Sequence, residues 1–262
     1  MIRALYTAAS GMSAQQTNLD TIANNLANSG TAGFRQRQVQ FEDMIYQNLI
    51  TPGAADTQQT LSAGLQVGLG TKTSTSEVIM TQGDPNNTGN TYDLEIQGAG
   101  FFQVSLPNGT IGYTRAGNFQ VNSQGTLTTS DGDTVLPAIT IPANASNVVI
   151  SQYGVVTATL PGQTNAAQLG TIQLANFPNP GGLSSIGGNL LQQTTASGNP
   201  ITDTPGGNSG MGTLQQGYLE NSNVDVVAEF VQMILAQRAY ESNSKVIHVA
   251  DDMYSQINGL VR

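Results

Sequence analysis

Apolar residues recur every seven positions near both ends of this 262-residue chain. The first series is Leu5, Met12, Leu19 and Leu26, and the second is Val226, Met233, Tyr240, Ile247, Tyr254 and Val261. A period of seven keeps one side chain on the same helix face at every second turn, which is the pattern of a coiled coil. The spacing therefore predicts one helix over about residues 3 to 28 and another over about 224 to 260.

These two helices carry the predicted assembly seam of the chain. It consists of Leu5, Met12, Leu19, Ile22, Leu26, Val226, Met233, Tyr240, Ile247, Tyr254 and Ile257. Ser222 or Asn223 is the predicted N-terminal cap of the second helix. Burial of so few large side chains does not offset the entropy lost when the first helix is ordered. We therefore expect this helix to pack against the second helix and against neighbouring copies, and both termini to be loosely ordered in the monomer.

The sequence between the helices has the pattern of β-structure. Hairpins are predicted at residues 101 to 114, 118 to 129 and 147 to 160, and one further strand at Leu169 to Phe177. The stretches 50 to 66 and 194 to 213, rich in small polar and turn-forming residues, read as linkers. The predicted fold class is α+β in several parts. Long N- and C-terminal helices form a coiled-coil-like core domain, and the middle forms one or more β-rich domains.

Charged residues are scarce and mainly negative. Asp, Glu, Lys and Arg make up 10% of the chain, the formal net charge is -9, and no Lys or Arg lies between Arg115 and Arg238. Such a chain has no basic stripe to neutralise phosphates, so we expect no nucleic acid as a partner. Apolar runs are too short for a membrane span, and polar residues interrupt the N-terminal apolar stretch. We expect neither membrane insertion nor a cleaved signal peptide.

No group of residues has the spacing of a catalytic, cofactor-binding or metal site. Cysteine is absent and His248 is the only histidine, which argues against zinc sites and nucleophilic triads. The glycines of QGAGFF (97 to 102) are not followed by a helical pattern and are predicted to form a tight strand connection. Asp93 and Glu95 lack further ligands, so we expect them to be solvated surface groups. The sequence therefore predicts a protein without enzymatic activity, cofactors or metals.

Two long segments resemble a known family. SGMSAQQTNLDTIANNLANSGTAGFRQ (10 to 36) is similar to the N-terminal signature of the flagellar rod and hook proteins, and QGYLENSNVDVVAEFVQMILAQRAYESNSKVI (216 to 247) to their closing signature. The resemblance implies a structural subunit whose terminal helices pair in the inner core of a tubular polymer while the β-rich parts form the shell. Two further segments, FEDMIYQNLITPGA (41 to 54) and GLQVGLGTKT (64 to 73), are similar to those members of the family that build the distal rod. The distal rod is a straight drive shaft that transmits torque from motor to hook.

The resemblance also implies partners and a location. The partners are further copies of the chain, the proximal rod proteins, the hook protein, the surrounding L- and P-ring proteins and the flagellar type III export apparatus. The location is the rod of the flagellar basal body, which spans the periplasm and is reached without a cleaved signal peptide.

By the same resemblance the chain divides into four parts. They are 1–45 for the N-terminal core helix and signature, 46–66 for an extension between core and shell, 67–215 for the β-rich outer domain and 216–262 for the C-terminal core helix. In the extension, Pro52 and Gly53 place a turn, and Leu61 and Leu65 provide apolar anchors. The resemblance implies that this extension is specific to the rod and keeps it straight.

Three alternatives remain open from the sequence. A proximal rod protein would share both terminal signatures and differ in length and in the order of residues 46–66 within the assembly. A secreted β-rich binding module would share the acidic middle but leaves the two apolar repeats unexplained. Residues 46–66 can also be a flexible linker instead of an ordered extension.

Overall fold

Two long helices flank a β-rich middle along the chain. The computed structural model describes residues 2–50, 55–56, 59–60, 64–162, 165–207 and 209–260. Helix α1 extends over Ile2–Ala27 and helix α2 over Val226–Leu260, and each bound lies within two residues of the predicted one. Among the described residues, every strand lies between these helices in sequence. The predicted α+β class is therefore confirmed.

The chain divides into two units by its internal contacts. The first unit is Met1–Ala27, Arg37–Glu77 and Asp225–Arg262, and the second is Asn28–Gln36 and Val78–Val224. Neither unit is continuous in sequence. Each is completed only when residues from the beginning of the chain meet residues from its end.

In the first unit, α1 and α2 pack against each other in antiparallel directions. Ala4, near the start of α1, lines a cavity together with Val249 of α2. Gly11, further along α1, lies close to Asn243, which comes earlier in α2: a Cβ atom on Gly11 would be 2.9 Å from Asn243 Nδ2. A step forward along α1 is thus a step backward along α2. The buried apolar side chains of the pair are mainly small, namely Ala8, Ala14, Ile22, Ala236 and Ala250. Small side chains allow close approach but bury little apolar surface.

Among its described residues the first unit also has six strands that pair two by two. They are β1 (Arg37–Asp43), β2 (Tyr46–Ile50), β3 (Ala55–Asp56), β4 (Gln59–Thr60), β5 (Leu65–Gly68) and β6 (Thr71–Val78). The pairs are β1 with β6, β2 with β5 and β3 with β4. In the β2–β5 pair, Tyr46 lies opposite Gly68 and Ile50 opposite Leu65. The two ends of segment 46–66 are therefore joined as a β-ribbon.

The second unit contains sixteen strands in its described part. They are β7 (Pro85–Asn87), β8 (Leu94–Gln97), β9 (Phe101–Ser105), β10 (Ile111–Thr114), β11 (Gln120–Val121), β12 (Leu127–Thr128), β13 (Thr134–Leu136), β14 (Ser146–Ile150), β15 (Val155–Thr159), β16 (Ala167–Thr171), β17 (Leu174–Asn176), β18 (Ser184–Gly187), β19 (Leu190–Gln192), β20 (Ile201–Asp203), β21 (Thr213–Gln216) and β22 (Tyr218–Glu220). The three predicted hairpins are confirmed as the antiparallel pairs β9–β10, β11–β12 and β14–β15.

Strand β9 is the centre of the largest sheet. The strand order of this sheet is β11-β12-β13-β9-β10-β19-β18. Strand β17 also belongs to it and pairs with β9 and with β20. One edge of β9 is shared, because Phe101 and Phe102 pair with β17 while Gln103 to Ser105 pair with β13. Strands β14, β15 and β16 form a second sheet, and the late strands β21 and β22 pair with the early strands β8 and β7.

Large aromatic and aliphatic side chains fill the core of the second unit. Phe102 and Phe119 are buried and meet edge to face with ring centroids 4.9 Å apart. A second cluster contains Tyr113 and Phe177, whose rings are 4.8 Å apart in the same geometry. Such contacts add to the stabilisation that burial provides. This unit therefore has the well-packed core that the helix pair lacks.

Two sequence-based predictions about this region are wrong. The single strand predicted at 169–177 is two strands, β16 and β17, because the chain passes from one sheet to another at the buried Ile172. The linker predicted at 194–213 contains β20 and the buried residues Ser197 and Met211. Its Gly- and Pro-rich composition serves tight turns between ordered strands.

Candidate assembly site

The predicted seam residues lie on α1 and α2 with unequal burial. Ile22 is buried; the half-buried residues are Leu5, Met12, Leu19, Leu26, Met233, Ile247 and Tyr254; the exposed ones are Val226, Tyr240 and Ile257. Within one chain the seam is thus only partly covered. The remaining apolar surface is open to other chains.

A second apolar surface on α2 was missed by the seven-residue period. It consists of Val227, Phe230, Val231, Ile234 and Leu235, which we name the α2 stripe. Val227 is 73% exposed and Leu235 is 58% exposed. Their spacing of three, four, seven and eight residues places them on one helix face. A search for this spacing would have found them in the sequence.

An apolar groove lies beside the other half of α2. It has a volume of about 260 Å³ and is lined by Ala4, Lys245, Val246, Val249, Ala250 and Met253. Its centre, near Val249, is 18 residues from the centre of the α2 stripe, near Val231, or roughly 27 Å along the helix at 1.5 Å per residue. Exposed apolar patches of this kind mark interaction surfaces.

The predicted extension is only partly within the described residues. Pro52, Gly53 and Leu61 lie outside them, whereas Leu65 begins β5 and is half exposed. On the paired strand β2, Tyr46, Leu49 and Ile50 are also exposed. The β2–β5 ribbon therefore presents apolar side chains to its surroundings.

A buried ion cluster in the second unit joins both terminal signatures. Arg35 Nη2 lies 2.6 Å from Glu220 Oε1, and Arg115 Nη2 lies 2.9 Å from Glu220 Oε2. Arg115 Nε also donates to Oε2 at 2.9 Å. All three side chains are less than a tenth exposed, and buried charges are stable only when they are paired and hydrogen-bonded. We refer to Arg35, Arg115 and Glu220 as the buried ion cluster.

Backbone hydrogen bonds strengthen the same junction. Gly33 N donates to Glu220 O at 2.8 Å, and Gln36 N donates to Asn223 Oδ1 at 2.7 Å. The Asn223 side chain in turn donates to Ile79 O at 2.9 Å. Residues of the N-terminal signature are thus held in place by residues about 190 positions later.

The helix cap predicted for α2 is wrong. Asn223 is engaged in the junction, and Ser222 Oγ accepts a hydrogen bond from Val224 N, which precedes the helix. Instead, Asp225 Oδ1 accepts hydrogen bonds from Val227 N at 2.9 Å and Ala228 N at 3.2 Å. A carboxylate at this position also interacts favourably with the helix dipole.

Arg115 holds the connection between β8 and β9 as well. Its Nη1 donates to Gly98 O at 2.8 Å and to Gly100 O at 2.7 Å. Both glycines have positive φ, 107° and 132°, so the tight strand connection predicted for QGAGFF is confirmed. Burial lowers the pKa of Arg115, while the charge of Glu220 opposes this effect.

The prediction that Asp93 and Glu95 are solvated is wrong. Both are buried: β8, the strand of Glu95, pairs with β21 from the end of the chain, and the backbone of Asp93 accepts a hydrogen bond from Gly217 N. Asp93 accepts hydrogen bonds from Thr88 at 2.6 Å and Asn90 at 3.0 Å, and Glu95 accepts one from Gln82 at 2.9 Å. Burial, with a smaller contribution from the Glu220 charge, raises the pKa of Glu95.

The described residues contain no group of three or more His, Asp or Glu side chains that could hold a metal ion. His248, the lone histidine, is exposed on α2. Within the same described part of the chain, neither helix is long and apolar enough to cross a membrane.

Comparison with protein families gives three matches along the chain. The family described as "Flagella basal body rod protein" matches residues 5–35, "Flagellar hook protein FlgE/F/G D1 domain" matches residues 95–158, and "Flagellar basal body rod FlgEFG protein C-terminal" matches residues 215–260. The first and last of these contain the two residues, Arg35 and Glu220, that meet in the buried ion cluster.

Similar proteins match nearly the whole chain. The flagellar basal-body rod protein FlgG of Buchnera aphidicola subsp. Baizongia pistaciae is 47% identical over 98% of this chain and 99% of its own length. The proteins of the same name from Caulobacter vibrioides and Bacillus subtilis are 48% and 39% identical, over 96% and 100% of this chain and 97% and 100% of their own lengths. At this identity and coverage, the chain belongs to the flagellar basal-body rod proteins, a family of structural proteins.

Proposed function

We propose that the chain is the subunit of the distal rod, which polymerises helically in the flagellar basal body into a straight shaft that transmits torque from motor to hook. The single observation that supports polymerisation best is the apolar surface of α1 and α2. The seam is half covered, and the α2 stripe and the groove at Val249 are exposed in the isolated chain. These surfaces need partners to be removed from water.

The geometry of α2 favours a head-to-tail contact, which can extend into a helical polymer, over a two-fold dimer. The α2 stripe and the groove are different surfaces at different ends of one helix, so a contact between them joins unlike faces. Heterologous contacts generate rings or helical filaments, whereas a two-fold dimer uses the same face twice. In the polymer the seam residues pack in a coiled-coil-like manner against neighbouring copies.

The division predicted from the sequence describes the chain within this polymer. Residues 1–45 and 216–262 form the core, residues 67–215 form the outer shell, and residues 46–66 lie between them. The proximal rod proteins, the hook protein, the L- and P-ring proteins and the type III export apparatus are the proposed partners, on the resemblance of the two signatures. Export through this apparatus precedes assembly.

The proposed assignment to the distal rod, instead of the proximal rod, depends on the extension at residues 46–66. Exposed apolar residues on the β2–β5 ribbon, including Tyr46 and Leu65, suit a wedge between neighbouring subunits. Such a wedge opposes the sliding that lets a tube bend. A proximal rod protein, the nearest alternative, would not need residues 46–66 to be ordered in the assembly.

Electron microscopy of the purified chain under polymerising conditions tests this function. We expect straight tubes from the wild-type chain and curved or irregular tubes after deletion of residues 52–62, with unchanged melting of the second unit. Straight tubes of normal length from the deleted chain would favour the linker interpretation and the proximal alternative. A chain that stays a folded monomer at every concentration would favour a binding module.

A further inference from the structure

Two strand pairs of the first unit continue into each other. Strands β1 and β2 are connected by Met44 and Ile45, and strands β5 and β6 by Leu69 and Gly70. Met44 N donates to Gly70 O at 2.8 Å, and Leu69 N donates to Ile45 O at 3.3 Å. Backbone hydrogen bonds therefore join the β1–β6 and β2–β5 pairs into one long two-stranded ribbon. We name these four connecting residues the ribbon joint.

The ribbon joint lies against helix α1. Ser10 Oγ accepts a hydrogen bond from Thr71 N at 3.3 Å and donates one to Thr7 O at 2.9 Å. A Cβ atom on Gly70 would collide with Ser10 Oγ and would lie 3.5 Å from the Thr7 Cα atom. The φ of Gly70 is 118°, a conformation that favours glycine. The backbone at Gly70 and Thr71 thus packs directly on one turn of α1.

A second attachment of the ribbon lies further along α1. Asn25 Nδ2 donates to Arg37 O at 2.8 Å, and Arg37 N donates to Asn25 Oδ1 at 2.9 Å. Asn25 comes 15 residues after Ser10, which is roughly 22 Å along the helix at 1.5 Å per residue. Two separate attachments define the direction of the ribbon on the helix, whereas a single one would leave it free to pivot.

The strands beyond the ribbon joint are largely exposed. All five residues of β2 are exposed, as are Leu65 and Gln66 of β5. Exposed residues make few contacts that could hold a strand in one position. The direction in which β2 and β5 leave the helix is therefore determined chiefly at the ribbon joint.

We propose that Ser10 and Gly70 form a latch that fixes the β2–β5 ribbon to α1 and so sets the direction of the ribbon in the assembled rod. This inference rests on the proposed function, in which residues 46–66 lie as a wedge between neighbouring subunits. Closure requires residues 7 to 10 to be helical, because only then do Ser10 Oγ and the backbone of Thr7 form one surface. Since α1 buries little apolar surface within the chain, neighbouring copies that stabilise α1 also close the latch.

Disulfide trapping in the full-length chain tests the contact, since the chain has no cysteine of its own. The Ser10 Cβ atom lies 3.3 Å from the position of a Cβ atom on Gly70, close to the spacing that a disulfide requires. We expect the Ser10→Cys, Gly70→Cys double variant to form an intramolecular disulfide when the monomer is mildly oxidised. The Gln16→Cys, Gly70→Cys double variant, whose first change is at an exposed position on another face of α1, should stay reduced. No disulfide in the first variant, or equal rates in both, would overturn the latch.

A compensating pair of substitutions tests the effect of the latch on the polymer. Gly70→Ala introduces the collision with Ser10 Oγ, and Ser10→Ala removes that oxygen. We expect electron microscopy to show curved or irregular tubes for Gly70→Ala and straighter tubes for the Ser10→Ala, Gly70→Ala double variant. Ser13→Ala, the same change at an exposed position of α1, should not improve Gly70→Ala. Straight tubes from Gly70→Ala alone, or equal improvement by Ser10→Ala and Ser13→Ala, would overturn the inference.

Polymerisation of the oxidised Ser10→Cys, Gly70→Cys double variant separates this inference from the proposed function. We expect the disulfide-locked chain to form straight tubes at the same concentration as wild type, because the latch is closed in the polymer. Tubes that appear only after the disulfide is reduced would mean that the latch is open in the assembly and would overturn the inference. A wild-type chain that never polymerises would overturn the proposed function, while the disulfide would still establish the contact of Ser10 with Gly70 in the monomer.

Discussion

At the scale of single residues, Gly33 illustrates why a signature position requires glycine. Its φ is 69°, its N–H donates to Glu220 O, and a Cβ atom on it would lie 2.5 Å from Ala116 N. A positive φ disfavours any side chain, and the close backbone leaves no space for one. Gly89 has nearly the same φ, 68°, but a Cβ atom on it would have no neighbouring atom within 4 Å.

Alanine substitutions at Gly33 and Gly89 distinguish the cost of backbone strain from the cost of close contact. We expect Gly33→Ala to destabilise the second unit by roughly 2 to 4 kcal/mol, because strain and overpacking add. Gly89→Ala should cost about 1 kcal/mol from strain alone. Urea unfolding followed by tyrosine fluorescence measures both. Equal losses would mean that the approach of Gly33 to Ala116 does not constrain the fold.

Glu95 makes a prediction about pH. Because its pKa is raised in the folded state, the folded chain keeps this proton to a higher pH than the unfolded chain does. The stability contributed by the protonated form is present below the ordinary glutamate pKa and is lost as the pH rises through the raised value. As the pH rises through that raised pKa, the folded chain takes on the cost of a buried charge at Glu95.

We expect Glu95→Gln to be more stable than wild type at neutral pH, with a difference that shrinks toward about pH 4. Thermal melting across this pH range measures it. Asp131→Asn, which neutralises an exposed carboxylate of the same unit, is the control and should follow the wild-type profile. A Glu95→Gln chain that is less stable at neutral pH would mean that its hydrogen bond with Gln82 and the Arg115 charge outweigh burial.

At the scale of elements, α1 depends on partners. Its buried apolar residues are Ala8, Ala14 and Ile22, too little apolar surface to offset the entropy of ordering a helix of 26 residues. Leu19, predicted to be part of the seam, is half buried in the isolated chain. It lies where further burial by a neighbouring copy would stabilise the helix.

Leu19→Asp tests that role. A charge buried in the seam without a partner costs several kcal/mol at each interface, so we expect the variant to remain monomeric while the second unit melts as in wild type. Sedimentation and electron microscopy measure the assembly. Ile111→Asp, at a 42% exposed position on β10, is the matched control and should still polymerise. Normal tubes from Leu19→Asp would contradict the seam.

At the scale of the whole molecule, the two units have different cores. The second unit buries Phe102, Phe119 and Leu174 almost completely. The helices of the first unit bury mainly alanines. Since apolar burial is the main source of stability, the first unit should open more easily than the second in a dilute monomer.

Limited proteolysis of dilute monomer measures this difference. We expect rapid cleavage within α1 and α2 and a resistant second unit, with Asn28–Gln36 protected although it adjoins α1 in sequence. Its hydrogen bonds to Glu220 and Asn223 are the reason. Assembled polymer, in which the helices are covered, is the control and should resist cleavage at both ends. Equal protection of helices and second unit in the monomer would contradict the prediction.

The local structure of this protein could be predicted from its amino-acid sequence. The period of seven predicted helices α1 and α2 to within two residues, and the Asn108-Gly109 pair marked the turn of the β9–β10 hairpin. Such patterns succeed because helix faces and tight turns depend on residues that are neighbours in the chain. The signatures likewise carry the family resemblance, since they are continuous segments.

The burial of polar residues, in contrast, depends on how distant parts of the chain meet. Arg35, Arg115 and Glu220 are up to 185 positions apart, and nothing local to any of them indicates a shared carboxylate. The sequence predicted that Glu95 is solvated, but it is buried on β8, which pairs with β21 from the end of the chain. The α2 stripe was apolar in the sequence, but its exposure is a property of the fold. Burial of a charge requires long-range partners, because only they can replace the water that it loses.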